Sequence, residues 1–73
     1  MLSAGQRVRV VRSGKTGRVL QPVIRRAQGH EGPPGVLVKL DPFTARWRGT
    51  APVTIFNLEV IYDPEDLTIV EPP

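Results

Sequence analysis

Two groups of residues in this 73-residue chain have side chains that suit an anionic ligand. The first is a run of cations near the start of the sequence, and the second is a short segment in which tryptophan stands between two arginines. A guanidinium group presents a planar fork that matches phosphate and carboxylate oxygens, and an indole ring can stack on a nucleobase. The predicted anion-binding residues are Arg7, Arg9, Arg12, Lys15, Arg18, Arg46, Trp47 and Arg48. For Trp47 the sequence slightly favours an alternative, in which the indole caps one end of the domain and its neighbours stay in solvent.

Charge is distributed unevenly along the sequence. The net charge is +3, yet residues 1–30 contain seven cations and no acid, whereas residues 51–73 contain five acids and no base. Eight of the ten basic residues are arginine. This asymmetry favours an anionic partner for the basic half: RNA, DNA or an acidic protein. The alternative is that the basic half and the acidic tail neutralise each other in the folded domain.

Catalytic and metal-binding chemistry finds little support in the sequence. The run Gly14-Lys15-Thr16 resembles the end of a phosphate-binding loop, but Arg9 occupies the place of the required first glycine and a strand-like segment follows instead of a helix. A zinc site cannot be assembled from a single histidine, His30, and no cysteine. We therefore expect a non-catalytic protein without a metal or a cofactor.

Short strands separated by turn residues must position these side chains. Polar and apolar residues alternate in the first strand, and a glycine turn over residues 13–17 joins it to the second. Pro22 should lie at an edge or a bulge, because proline has no N–H to donate to a sheet. The predicted strands cover residues 7–12, 18–24, 36–40, 53–56, 59–62 and 67–70. Long connections are predicted over residues 26–35 and 41–52.

These elements predict an all-β fold, a small antiparallel barrel of five or six strands that forms one domain over residues 1–73. The expected core consists of Val8, Val10, Val19, Leu20, Val36, Val38, Leu40, Val53, Ile55, Leu58 and Val60. A core of this size, without disulfide bonds or a structural metal ion to stabilise it, also favours self-association into a homo-oligomer. The apolar runs are too short for a membrane span or a signal peptide, which predicts a cytoplasmic protein.

Both ends of the sequence resemble SH3-like barrels. The first resemblance lies in the strand Gly5-Gln6-Arg7-Val8-Arg9-Val10 followed by Gly14, Gly17, Arg18 and Val19, and it is similar to the KOW motifs of ribosomal and transcription-elongation proteins. The second runs from Val36-Leu37-Val38 through Phe56-Asn57-Leu58-Glu59-Val60-Ile61. It resembles the variable chain of ferredoxin-thioredoxin reductase and other ferredoxin-docking subunits, which implies docking of an acidic protein on a basic barrel.

A third resemblance concerns an enzyme, the plasmid-borne type II dihydrofolate reductase. Its motif Val-Gln-Ile-Tyr corresponds here to Val53-Thr54-Ile55-Phe56. Thr54 and Phe56 replace the two polar groups that would touch the ligands, which argues against this activity.

The favoured interpretation is therefore a non-catalytic SH3-like binding module whose basic face binds nucleic acid, RNA in the first place. The alternative is a protein-docking or regulatory subunit of a larger complex, in which the 26–35 connection orders on contact. A less favoured third interpretation is an oligomeric enzyme similar to type II dihydrofolate reductase.

Overall fold

The computed structural model describes residues 2–25 and 34–71, and it confirms the all-β prediction. Most of the connection predicted over residues 26–35, including His30, lies outside these ranges. The strands are β1 (Arg7–Val10), β2 (Thr16–Ile24), β3 (Gly35–Leu40), β4 (Phe43–Ala45), β5 (Val53–Ile55), β6 (Glu59–Tyr62) and β7 (Leu67–Glu71). A single turn of 3₁₀ helix, Pro64–Asp66, precedes β7. No helix in the described ranges is long and apolar enough to span a membrane.

The strands form two antiparallel sheets. Five strands follow the order β6-β3-β2-β1-β7, and β4 pairs with β5 in a separate two-stranded sheet. The three strands β1, β2 and β3 occupy the centre of the larger sheet, so the basic hairpin near the start of the chain is flanked on both sides. The acidic end of the chain forms β7 and lies directly beside β1.

The first hairpin forms because valine and arginine alternate along β1. Val8 and Val10 are buried, whereas Arg9 between them is exposed. The predicted glycine turn is confirmed: the N–H of Gly14 donates to the Val10 carbonyl at 2.8 Å, and Gly14 has a φ of 74°. Because β2 starts at Thr16, a strand follows the Gly14-Lys15-Thr16 run, as the turn interpretation requires.

The second strand is irregular around Pro22, as its chemistry predicts. The pairing of β2 with β3 shifts register between Val19 and Gln21 and again between Gln21 and Ile24. Val19 is buried and its neighbour Leu20 is 38% exposed. Consecutive residues of a strand point to opposite faces, so Val19 and Leu20 cannot both face the core. The prediction of Leu20 as a core residue is therefore wrong.

Six of the predicted core residues form the buried cluster: Val8, Val10, Val19, Val36, Val38 and Leu40. Ile55 and Val60 are half-buried. Val53 and Leu58 are 47% and 38% exposed, so their assignment to the core is also wrong. Val53 stays exposed because β5 pairs only with β4, outside the five-stranded sheet whose strands carry the cluster.

One strand lies where the sequence predicts only a connection. Residues 43–45 form β4 within the segment predicted as the 41–52 connection, and Phe43 packs against the core. Three residues bordered by Pro42 are too few to show a period of two. The strand exists because it pairs with β5, a tertiary contact that local patterning does not reveal.

Gly17 sets how closely β2 and β3 approach each other. A Cβ atom at this position would lie 2.6 Å from the Lys39 carbonyl oxygen and 2.9 Å from Cγ1 of Val38. Both distances are shorter than any normal contact, and the first partner is backbone. Only glycine therefore allows this register at the centre of the sheet.

We expect Gly17→Ala to destabilise the protein by about 1 to 3 kcal/mol, the usual cost of forcing extra atoms into a packed region. Gly14→Ala is the matched control, because its Cβ would meet nothing within 4 Å and only its φ of +74° opposes the change. Urea unfolding followed by circular dichroism compares the two variants. Because Gly14→Ala measures the cost of a positive φ without crowding, about 1 to 2 kcal/mol, a Gly17→Ala loss below about 1 kcal/mol would contradict the packing argument.

Candidate anion-binding groove

A row of charged side chains crosses the outer face of the five-stranded sheet, the face opposite the valine core. Residues directly opposite each other on antiparallel strands share a face. The register places Arg7 opposite Arg18 and Arg18 opposite Lys39. Glu71 stands opposite Arg7 at one edge of the sheet, and Glu59 stands opposite Lys39 at the other. Three cations therefore lie side by side on the central strands, with a carboxylate at each end of the row.

Arg7 is held within the domain by Asp41, which follows β3. Its Nη1 and Nη2 donate to Asp41 Oδ1 and Oδ2 at 2.9 and 2.8 Å, a bidentate ion pair. Thr16 Oγ1 donates to the same carboxylate at 2.7 Å, and the Asp41 N–H donates to the Thr16 carbonyl at 2.9 Å. We call this unit the Asp41 clamp; it ties β1, β2 and the end of β3 together.

The clamp keeps Asp41 ionised. The hydrogen bond from Arg7, followed by that from Thr16, lowers the pKa of the Asp41 carboxyl below its ordinary value. The same hydrogen bond raises the pKa of the Arg7 guanidinium. The charge of Arg7 is therefore neutralised by Asp41 within the protein. The other cations of the row, Arg18 and Lys39, remain available to an external ligand.

A groove of about 460 Å³ opens beside those remaining cations. We call it the Phe56 groove; its lining residues are Arg18, Leu20, Lys39, Leu40, Asp41, Pro42, Phe56 and Asn57. The Phe56 side chain is 65% exposed. The segment that carries it is held against the end of β3, since the Leu40 N–H donates to the Leu58 carbonyl at 2.9 Å.

The two cations of the groove have no carboxylate partner within ion-pair distance among the described residues. Arg18 donates from Nη1 to the Gly5 carbonyl at 3.0 Å, which positions its guanidinium without neutralising it. Lys39 lies on the exposed side of β3. Cations and an exposed aromatic ring in one groove are the combination that binds the phosphates and the bases of a single strand.

The remaining cations of the first hairpin have different surroundings. Arg9 is exposed on the outer face of β1, opposite Thr16. The Lys15 ammonium lies 4.5 Å from the centroid of the Phe43 ring, a cation–π contact that holds β4 against the hairpin. Arg12 Nε lies 3.9 Å from Asp66 Oδ1, and its side chain is 87% exposed, so this pair is loose.

The acidic tail neutralises one side of the basic hairpin. Strand β7 pairs along β1, which brings Glu71 opposite Arg7 and places Asp66 beside Arg12. On the other side of the hairpin, the row continues through Arg18 to Lys39, away from β7. The neutralisation expected as an alternative therefore applies between β1 and the edge strand β7, and it leaves the Phe56 groove cationic.

The second predicted group lies apart from the groove. Residues 46–48 belong to the loop between β4 and β5, where Thr50 donates from its N–H and Oγ1 to the Trp47 carbonyl at 3.1 and 2.9 Å. Trp47 is 55% exposed and is absent from the residues that pack on the core. The indole does not cap the core, contrary to the alternative that the sequence slightly favours. None of residues 46–48 is among the lining residues of the Phe56 groove.

Sequence reasoning missed three lining residues that matter for the chemistry of the groove: Lys39, Phe56 and Asn57. Lys39 was recognisable as an outward position of its strand, but only the β2–β3 register shows that it neighbours Arg18. Phe56 was assigned to a strand, whereas β5 ends at Ile55 and leaves the ring exposed. Asn57 has a positive φ of 58°, a conformation that asparagine tolerates better than most residues.

A second groove, of about 710 Å³, has a different character. Its lining residues are Leu2, Pro22, Val23, Val36, Pro64, Leu67, Thr68 and Ile69. None of these side chains carries a charge, so the second groove lacks the cations that the Phe56 groove presents to an anion. Within residues 2–25 and 34–71 there is also no group of three His, Cys, Asp or Glu side chains that could hold a metal ion.

No protein-family model matches this chain, and neither does any curated protein or any solved structure. The resemblances to SH3-like barrels, KOW motifs, ferredoxin-docking subunits and type II dihydrofolate reductase therefore stay predictions.

Acid should weaken the fold through the Asp41 clamp. Because the pKa of Asp41 is lowered in the folded protein, its contribution is present above the unfolded value of about 3.9 and is lost as the pH falls through the folded value. We expect the melting temperature to decrease once the pH is below about 4. Asp41→Asn should melt lower than the wild type at neutral pH and lose less on acidification.

Thermal unfolding followed by circular dichroism across this pH range measures the effect. Thr16→Val removes one hydrogen bond to the carboxylate and keeps the side-chain shape. Like Asp41→Asn, it should lower the melting temperature at neutral pH and reduce the loss on acidification, but by smaller amounts. If Asp41→Asn loses as much melting temperature in acid as the wild type, the clamp is not the source of the pH dependence.

Proposed function

We propose that this protein is a non-catalytic SH3-like module that binds single-stranded nucleic acid, RNA in the first place, in the Phe56 groove. The observation that carries the proposal is that Arg18, Lys39 and the exposed Phe56 ring line the same groove. Phosphates contact the two cations, and an unstacked base lies on the ring.

The placement of the two cations suits a phosphodiester backbone. Neighbouring strands of a sheet lie about 5 Å apart, so Arg18 on β2 and Lys39 on β3 present two positive charges close together. A guanidinium already oriented by the Gly5 carbonyl loses little freedom when it binds a phosphate. The carboxylates at the sheet edges, Glu59 and Glu71, repel the same backbone and confine it to the central strands.

An exposed aromatic ring favours nucleic acid over an acidic protein as the partner. The carboxylates of a protein would satisfy Arg18 and Lys39, but a separate apolar side chain would be needed to cover a phenylalanine that is 65% exposed. A nucleotide supplies both a phosphate for the cations and a flat base for the ring. The single-stranded form is required because bases inside a duplex are stacked on each other and cannot reach the ring.

Removal of one groove cation should weaken binding and reduce its salt dependence. For single strands the slope of log K against log salt is about −0.7 per phosphate contacted, so Lys39→Ala should make the slope shallower by about 0.7. Arg25→Ala, which removes the same charge from an exposed residue just beyond β2 and outside the groove, is the matched control and should leave the slope unchanged.

Fluorescence anisotropy of a labelled short RNA, titrated with the protein at several salt concentrations, gives the affinity and the slope of log K against log salt. The proposal is contradicted by undetectable binding, by an affinity that does not depend on salt, or by equal effects of the Lys39 and Arg25 variants. Salt-dependent capture of an acidic protein without RNA binding would instead support a docking subunit.

The two aromatic candidates should contribute unequally. Stacking on an aromatic side chain is worth about 1 to 3 kcal/mol per base, so Phe56→Ala should weaken RNA binding by about fivefold or more. Trp47→Ala should weaken it less, because Trp47 is not among the residues that line the groove. The same anisotropy titration compares the two variants. A larger loss for Trp47→Ala would move the principal site to residues 46–48.

A further inference from the structure

We propose that the bound strand continues out of the Phe56 groove obliquely across the central strands of the sheet, and that Arg9 on β1 contacts its next phosphate. Two of the residues that line the groove are cations, so Arg9 makes the site one for three successive phosphates, which need a strand of at least four nucleotides. This inference rests on the proposed function, since it extends the same site. It comes from the arrangement of charges on the outer face of the five-stranded sheet.

Three cations form an oblique line over three adjacent strands. Lys39 on β3 stands opposite Arg18 on β2, and Arg18 stands opposite Arg7 on β1. Arg9 is two residues further along β1 than Arg7, so it points to the same face of the sheet. Diagonal neighbours of this kind lie about 7 to 8 Å apart. Arg9 is therefore within reach of a backbone that already contacts Lys39 and Arg18.

Arg9 is available to a phosphate, whereas Arg7 is not. The Arg9 side chain is exposed and makes no hydrogen bond or ion pair with any of the described residues. Arg7 is neutralised by its two hydrogen bonds to Asp41. A strand that passes from Arg18 to Arg9 thus runs beside a neutral ion pair, and the next unpaired positive charge that it meets on this face is that of Arg9.

The ends of the two rows differ in charge, which gives the strand its direction. Glu59 on β6 stands opposite Lys39, and Glu71 on β7 ends the row of directly opposed residues. On β7 the residue opposite Arg9 is Thr68, which is exposed and uncharged. Because carboxylates repel phosphates, the two ends with glutamate are closed to the backbone. The strand therefore leaves the sheet at Thr68.

Two RNAs of different length separate the groove from its extension. A uridine trinucleotide has two phosphodiesters, enough for Lys39 and Arg18, whereas a uridine pentanucleotide has four and reaches Arg9. Fluorescence anisotropy with the same label on both RNAs, measured at several salt concentrations, gives the slope of log K against log salt. For the wild-type protein we expect the pentanucleotide slope to be steeper by at least about 0.7, the contribution of one further phosphate.

Arg9→Ala should remove this difference. Its pentanucleotide slope should be shallower than that of the wild type by about 0.7, and its trinucleotide slope should be unchanged. Arg12→Ala is the matched control, because it removes the same charge from an exposed residue of the same hairpin, one that already lies 3.9 Å from Asp66. It should leave both slopes unchanged. Equal effects of the two variants overturn the path through Arg9.

A second pair of variants tests the exit at β7. Thr68→Glu places a carboxylate opposite Arg9, as Glu71 is placed opposite Arg7. It should make the pentanucleotide slope shallower by as much as Arg9→Ala does and leave the trinucleotide slope unchanged. Thr68→Gln has the same side-chain shape without the charge and should behave as the wild type. If Thr68→Glu and Thr68→Gln bind the pentanucleotide equally well, the strand does not leave at this end and the inference is overturned.

Failure of this inference is distinguishable from failure of the proposed function. Lys39→Ala should reduce the slopes for both RNAs, because Lys39 lines the groove itself. If Lys39→Ala reduces both slopes and Arg9→Ala reduces neither, the extension is overturned and binding in the groove stands. If neither RNA binds to the wild-type protein, both are overturned.

Discussion

The Asp41 carboxylate is the point on which the fold and the candidate site both depend. It accepts two hydrogen bonds from Arg7 and one from Thr16, and so it joins the start of β1, the start of β2 and the end of β3. This position is where the chain leaves the five-stranded sheet for the β4–β5 hairpin. Asp41 follows Leu40, whose N–H donates to the Leu58 carbonyl, so the clamp adjoins the point where the segment with Phe56 and Asn57 meets the end of β3.

The clamp also selects which cations face a ligand. It neutralises Arg7 in the outer row, while the edge strand β7 brings Glu71 opposite Arg7. Of the seven cations in the first thirty residues, Arg18 lies on β2 beside Lys39 of β3, whereas Arg9 and Arg12 are exposed elsewhere on the first hairpin. A basic sequence and an acidic tail thus give neither a uniformly basic face nor complete neutralisation. They give a cationic centre with acidic borders, and the Phe56 groove lies in that centre.

Features with a local cause could be predicted from the sequence. Alternation along β1 placed Val8 and Val10 in the core, two glycines predicted the first turn, and the missing N–H of Pro22 predicted the irregularity in β2. The all-β class followed from such signals, although strand ends differed by two residues in places. Hydrophobicity alone is a weaker guide, because Leu20, Val53 and Leu58 are exposed. Leu20 lies on the outer face of β2, and Val53 lies on a strand outside the five-stranded sheet.

Features with a non-local cause could not be predicted. The clamp joins residues 34 positions apart, and the neighbours Arg18 and Lys39 meet only through the β2–β3 register. A local pattern indicates which side chains share a face of one strand, but it does not indicate which strand comes next or in what register. For the same reason the sequence identified five cations of the first hairpin and missed the lysine, the phenylalanine and the asparagine that complete the groove.

The central claim is that one groove, lined by Arg18, Lys39, Phe56 and Asn57, binds a single strand. It is tested most directly by backbone amide chemical shifts of the labelled protein during titration with a short single-stranded RNA. The account predicts that the largest changes lie in β2 and β3 around Arg18 and Lys39 and in the segment at Phe56 and Asn57. Changes concentrated in residues 46–48 or along β7, or no changes at all, would contradict it.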